Sequence, residues 1–176
     1  MAVAVGSALR RSGIRAVLTG GACADLYAEG ASASFDADFI LAGPVDGEDL
    51  DRALALLGFV RNGDRYVHSR LPFHVEFPAG PLGIGQDSRI TPVLHARHGE
   101  RTLALSPTDA CRDRLAGFYF WSDRQSLAAA VAIARRRRVS FAKIRAWSRA
   151  EGQTRGYEAF LLELRRARAH PASPAD

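Results

Sequence analysis

Apolar and polar positions divide the chain into two parts with different periods. As far as about residue 105, short apolar runs alternate with turn residues; from Ser106 onward, apolar positions recur only at helical spacing. Residues 2–12 predict a short helix with a small apolar face. Arg15 to Thr19 reads as a first strand, and Ala22 to Glu29 as a helix turning Ala22, Leu26 and Ala28 to a sheet, with Tyr27 beside them. A second strand follows and runs through Phe39 to Leu41, until Gly43-Pro44 stops it. Leu50, Ala53, Leu54 and Leu57 make Asp46 to Leu57 an amphipathic helix, with Gly58 placed to close it. Phe59-Val60 and Tyr66-Val67, separated by Asn62-Gly63-Asp64, predict a hairpin. Phe73, Val75 and Phe77 alternate with His74 and Glu76, so the last two share the opposite face of the next strand. Pro78 to Ser88 is a Gly- and Pro-rich loop and a candidate lid. Ile90 to His98 and Arg101 to Leu105, joined around Gly99, form a last pair of strands, with His95 and His98 read as surface residues.

The second part opens on Ser106-Pro107-Thr108-Asp109, a strong helix start with Ser106 as N-cap and Pro107 in the first position. That helix runs to about Trp121 and buries Leu115, Phe118 and Tyr119. Ser122 is expected to cap a second helix through Leu127, Val131 and Ile133, Ser140 a third with Ile144 and Trp147. A fourth carrying Phe160, Leu161 and Leu164 is expected after Gly156. The pattern divides the chain into an α/β core over 1–105, a helical subdomain over 106–169 and a polar tail over 170–176.

Candidate chemistry lies between the first two strands. Asp36 and Asp38 are two apart and therefore share a strand face, with Ser34 just before them. Two adjacent carboxylates repel unless a cation or proton sits between them. A hard divalent ion such as Mg²⁺, completed by substrate phosphates, is the usual reason for such a pair. An EF-hand loop is excluded, because Ile40 and Leu41 stand where an oxygen ligand and the glycine belong. Gly20-Gly21 adds a corner without Cβ atoms where a helix begins, which favours an anion.

Composition changes this picture little. The 176 residues are 47% hydrophobic and 24% charged, as in an ordinary globule, with mean hydropathy −0.10. The charge of +5 rests almost entirely on arginine, since Lys143 is the sole lysine, and gives a mild bias toward anionic partners. Cys23 and Cys111 are too few for a disulfide framework or a zinc site and are expected to be buried. The opening residues lack the pattern of a signal peptide and no apolar run reaches membrane-spanning length, so the expectation is a cytoplasmic chain without membrane contact. Arg135 to Arg138 close a helix, where cations suit the dipole; a solvated helix end is the favoured reading over a nucleic-acid patch.

The order strand, Gly20-Gly21, helix, Asp36-Ala37-Asp38 resembles the nucleotidyltransferase superfamily related to DNA polymerase β, in its minimal, AbiEii-like prokaryotic forms. Fourteen residues separate Gly21 from Asp36, slightly more than the family pattern. The segment from Ser106 to Leu127 is also similar to uncharacterised members, and the resemblance extends to about Trp147. It implies an α+β nucleotidyltransferase fold: a mixed, twisted sheet flanked by helices, then an all-helical C-terminal subdomain. It also implies a third carboxylate, for which Glu76 is the best candidate. By the same resemblance Asp36, Asp38 and Glu76 would be catalytic and hold two Mg²⁺ about 4 Å apart. Gly20, Gly21 and Ser34 would hold the phosphates of a nucleoside triphosphate, whose NMP would pass to an acceptor hydroxyl on tRNA, protein or a small molecule. Arg114, Asp123 and Arg124 have two open readings: Arg114 and Arg124 grip phosphate or acceptor with Asp123 positioning one of them, or the three form an ion pair between neighbouring helices. The rival expectations are a catalytically inactive nucleotide- or RNA-binding module, a toxin–antitoxin component with a partner protein, and a purely structural partner.

Overall fold

A computed structural model describes residues 1–32 and 35–169; Ser34 and the tail 170–176 lie outside the described residues. Seven strands form one mixed sheet: β1 (Ala16–Thr19), β2 (Asp36–Leu41), β3 (Phe59–Asn62), β4 (Arg65–His68), β5 (His74–Glu76), β6 (Val93–Arg97) and β7 (Glu100–Ala104). Their order is β3-β4-β5-β2-β1-β7-β6. Two pairings are parallel, β1 with β7 and β2 with β5; the others are antiparallel. The fold is therefore α+β around a mixed sheet, with helices α1 (Ala2–Arg11), α2 (Gly20–Tyr27), α3 (Gly47–Ala55), α4 (Pro107–Trp121), α5 (Arg124–Arg136), α6 (Phe141–Ala150) and α7 (Thr154–Ala169).

The central strand β2 shows why the sheet needs helices on both sides. Ala37 and Phe39 are fully buried, and Phe39 packs its ring 6.3 Å from that of Phe77 beneath α1. Asp36 and Asp38 alternate with them and point to the opposite side, where α2 lies against β1 and β2. The helices α4 and α5 pack in turn on α2, so one continuous apolar cluster runs from Val5 and Leu18 through Cys23 and Leu115 to Ile144 and Phe160. Each such fully buried aliphatic or aromatic side chain stabilises the fold by about 1.5–3 kcal/mol relative to exposure. Both cysteines are wholly buried and burial pushes their thiols up, which suits inert packing. No helix among the described residues is long and apolar enough to cross a membrane.

Helix ends account for the main departures from the sequence reading. Asp46, Ser106 and Ser140 cap α3, α4 and α6, each accepting a backbone N–H of the first turn. The cap of α5 is Asp123 rather than Ser122: its carboxylate accepts from the Gln125 N–H, while Ser122 adopts the left-handed conformation (φ 55°) that terminates α4. The last helix begins at Thr154, two residues before Gly156, which lies under the Tyr119 ring where a Cβ would come within 2.6 Å. Phe118 and Tyr119 are only partly buried. His95 is half-buried with its ring edge-on to Tyr27 at 5.9 Å, so only His98 is a true surface residue. The arginine run is exposed, and two of its members are tied down: Arg137 donates to the carbonyl of Tyr27, the last residue of α2, and Arg136 to the Glu29 carbonyl just beyond it.

Candidate functional site: a carboxylate edge beside a helix start

The parallel pairing of β2 and β5 brings the three acidic candidates to one place. Its register sets Asp36 opposite His74 and Asp38 opposite Glu76. Paired residues of neighbouring strands point to the same face, with strands about 4.8 Å apart. Asp38 and Glu76 therefore stand side by side, with Asp36 one pleat along the same face. The alternation of Phe73, Val75 and Phe77 that turns Glu76 this way is visible in the burial too, since Val75 is fully buried while His74 and Glu76 are half-buried.

The fourth wall is the start of α2. Gly20 opens that helix with φ 69°, and a Cβ there would meet the Asp38 Oδ2 atom at 2.3 Å. Any other residue at this position would be strained and would also push the carboxylate away. Thr19 occupies the N-cap position but makes no side-chain cap; its hydroxyl donates to the Asp38 carbonyl oxygen at 3.3 Å instead. The strand bearing Asp38 is thus fixed to the end of the strand before the glycines. Gly20 and Gly21 are themselves buried.

Negative charge is concentrated at this edge. Burial, then the neighbouring Asp36 and Glu76, push the Asp38 carboxyl up to about 6, with Arg114 pulling against them and Asp113 adding to them. Asp113 and Arg114 come from α4, which packs beside α2, so the helical half supplies one wall of the site. The Arg114 guanidinium donates twice to Asp113, at 3.1 and 2.8 Å, and once to the Ser126 hydroxyl at 3.3 Å. Asp123 accepts from the same Ser126 hydroxyl at 2.6 Å, which links it to Arg114 through one intermediary. Arg124 is elsewhere engaged, with its guanidinium 5.9 Å from the centre of the Phe118 ring. Of the three polar residues in the helical half, Arg114 is bonded to Asp113 and Ser126 and lowers the Asp38 carboxyl without touching it in any described contact, Asp123 is a helix cap and Arg124 packs on an aromatic. The direct Asp123 ion pair does not form; Arg114 pairs with Asp113, a residue the sequence did not single out.

A hard divalent cation fits the donor chemistry of three carboxylates on one face; the space that Gly20 leaves is taken by the Asp38 carboxylate, and with both glycines buried the corner is not the bare phosphate cradle expected of Gly20 and Gly21. Among the described residues no group of three or more His, Cys, Asp or Glu side chains is gathered to hold a metal ion as it stands, so the edge is a set of donors rather than a closed cage. The loop expected as a lid is fastened to the helical half instead. Asp87 pairs with Arg112, the Gln86 N–H donates to Glu151 and the Trp147 indole donates to the Ile84 carbonyl. No family model, curated protein or solved structure matches the chain.

Proposed function

We propose that this chain is a metal-dependent nucleotidyltransferase, moving a nucleoside monophosphate from a nucleoside triphosphate to an acceptor hydroxyl. The observation that carries the reading is the β2–β5 register, which sets Glu76 beside Asp38 on the face shared with Asp36. The acceptor oxygen forms its bond to the α-phosphorus as the bond to the α–β bridging oxygen breaks, and pyrophosphate leaves. Such transfer depends mainly on positioning and charge neutralisation. Asp36, Asp38 and Glu76 are the residues that would hold Mg²⁺, which supplies charge neutralisation for the phosphates and favours loss of the acceptor proton. Arg114 offers a cation to the phosphate tail from the α4 side, held in place by Asp113 and Ser126. Thr19 holds the Asp38 main chain, and Gly20 leaves room for its carboxylate.

The test is transfer of label from an α-labelled nucleoside triphosphate with Mg²⁺ to tRNA, protein and small-molecule acceptors. Asp36→Ala/Asp38→Ala lowers transfer by more than about a thousandfold, the loss expected when several kcal/mol of charge stabilisation are removed. Transfer unaffected by the double change ends the proposal. Two observations favour a second reading, a nucleotide- or RNA-binding module of the same architecture without catalysis: the buried glycines and the open donor set. RNA binding indifferent to the double change, with no transfer, identifies that module.

A further inference from the structure

We infer that the guanidiniums of Arg97 and Arg135 to Arg138 form one surface that holds the phosphodiester backbone of a polynucleotide. The inference goes beyond the transfer reading and needs nothing of the acidic edge. Taken alone, the arginine run closes α5 and suits its dipole. The fold adds a second element to it. Arg97, from the edge strand β6, reaches the Glu29 carboxylate at 3.4 Å, and Arg136 donates to the carbonyl of the same residue at 2.8 Å. Arg137 donates to the carbonyl of Tyr27, whose ring is edge-on to His95, two residues before Arg97. Burial, then Arg137 and Arg97, hold the His95 imidazole below its ordinary value, as expected where both cations lie close to one ring.

Five arginines therefore share this surface, and the carboxylate that meets them among the described residues is Glu29, in a chain whose whole net charge is +5. Glu100, opposite Arg97 across the hairpin, is engaged by Arg11 at 2.8 Å, and Asp25, one turn back on α2, accepts the Ser32 N–H. The end of α2 accounts for Arg136 and Arg137. Arg135 and Arg138 are exposed, and their side chains make no hydrogen bond or ion pair among the described residues. Like charges so gathered repel, and a row of phosphates relieves that repulsion while releasing its own counterions. Arginine suits the task, because its planar fork meets two oxygens of a phosphate at once. Ala134 and Val139, on either side of the run, are buried, so the run has no apolar side chain to insert into a lipid surface.

Fluorescence anisotropy across a salt series, with a labelled single-stranded RNA and the DNA of the same sequence, tests this. Arg135→Ala/Arg138→Ala removes no contact of the fold and is expected to keep the wild-type melting temperature. It is expected to bind about tenfold more weakly and to lower the slope of log affinity against log salt by about 1.4. Arg97→Ala is expected to weaken binding as well, because β6 belongs to the surface. Arg165→Ala/Arg168→Ala makes the same change of net charge on α7 and is expected to stay within about twofold of wild type. An equal loss in that control overturns the inference, since net charge alone would then explain binding. So does unchanged binding by Arg97→Ala, or the absence of salt-dependent binding to either polynucleotide. Capture by phosphatidylserine vesicles without polynucleotide binding overturns it too. Tighter binding of RNA or of DNA names the source of the backbone and supports the surface. Asp36→Ala/Asp38→Ala is expected to bind polynucleotide as wild type does, so loss of label transfer and loss of this surface are separate failures.

Discussion

Two clusters of charged side chains on this chain are built from the same residue types and end in opposite electrostatic states. At the acidic edge, Asp36, Asp38 and Glu76 share a face, and burial with mutual repulsion raises the Asp38 carboxyl to about 6. In the helical half, Arg112 is entirely buried with its Nη atoms 2.9 Å from Asp109 and 2.6 Å from Asp87, and Lys143 meets Asp109 at 2.8 Å. Burial pushes the Asp109 carboxyl up, but hydrogen bonds from Lys143, Ser106 and Arg112 outweigh it and hold it below the ordinary value. The Arg112 hydrogen bond does the same for Asp87. The second cluster satisfies itself, with the Arg112 guanidinium also stacked 5.0 Å from the Trp147 ring centre, although its Nε finds no hydrogen-bond partner among the described residues. In the first, the crowding of carboxylates outweighs the pull of Arg114 on Asp38, and its carboxyl is raised rather than lowered.

Breaking the self-satisfied cluster gives the largest effect. Arg112→Met removes the buried guanidinium that Asp109 and Asp87 share, leaving Lys143 on the first and Arg89 on the second, and destabilises the fold by about 3–5 kcal/mol, read as a lower urea midpoint. Label transfer falls only in proportion to unfolded protein. The acid limb comes next. Asp87 and Asp109 have depressed folded values, so their contribution is present above the unfolded value near 4 and disappears as pH falls through the folded values. Wild type therefore loses stability steeply below about pH 4, and Asp109→Asn shows a flatter acid limb. The smallest effect has the opposite sign. Asp38→Asn relieves repulsion at the acidic edge and raises the melting temperature by about 2–4 °C while transfer is lost. A fall in melting temperature would mean that the edge is structural, like the Arg112 cluster.

Much of the fold was legible because β2 and β5 alternate and α3, α4 and α6 open on capping residues. Asp46, Ser106 and Ser140 behave as their sequence positions require. Asp36, Asp38 and Glu76 were readable for the same reason, since period-two alternation fixes a side chain's face. Alternation does not say which strands are neighbours, so the parallel β2–β5 pairing that joins Asp38 to Glu76 needed coordinates. Ser122-Asp123 offers two good caps in succession, and only the left-handed backbone at Ser122 decides between them. Gly156 reads as a helix boundary because its real cause, the Tyr119 ring above it, comes from another helix. Arg112 gave no signal at all: in a chain with so many arginines, nothing local marks the one that is buried between two carboxylates.

The proposed function stands or falls on divalent-cation binding at the acidic edge. Mn²⁺, a stand-in for Mg²⁺ with a paramagnetic signal, titrated against the full chain in the presence of ATP measures it most directly. The account predicts saturable Mn²⁺ sites in the wild type that Asp36→Ala/Asp38→Ala loses while it remains folded. Mn²⁺ binding of equal affinity and stoichiometry in the folded double variant would contradict it.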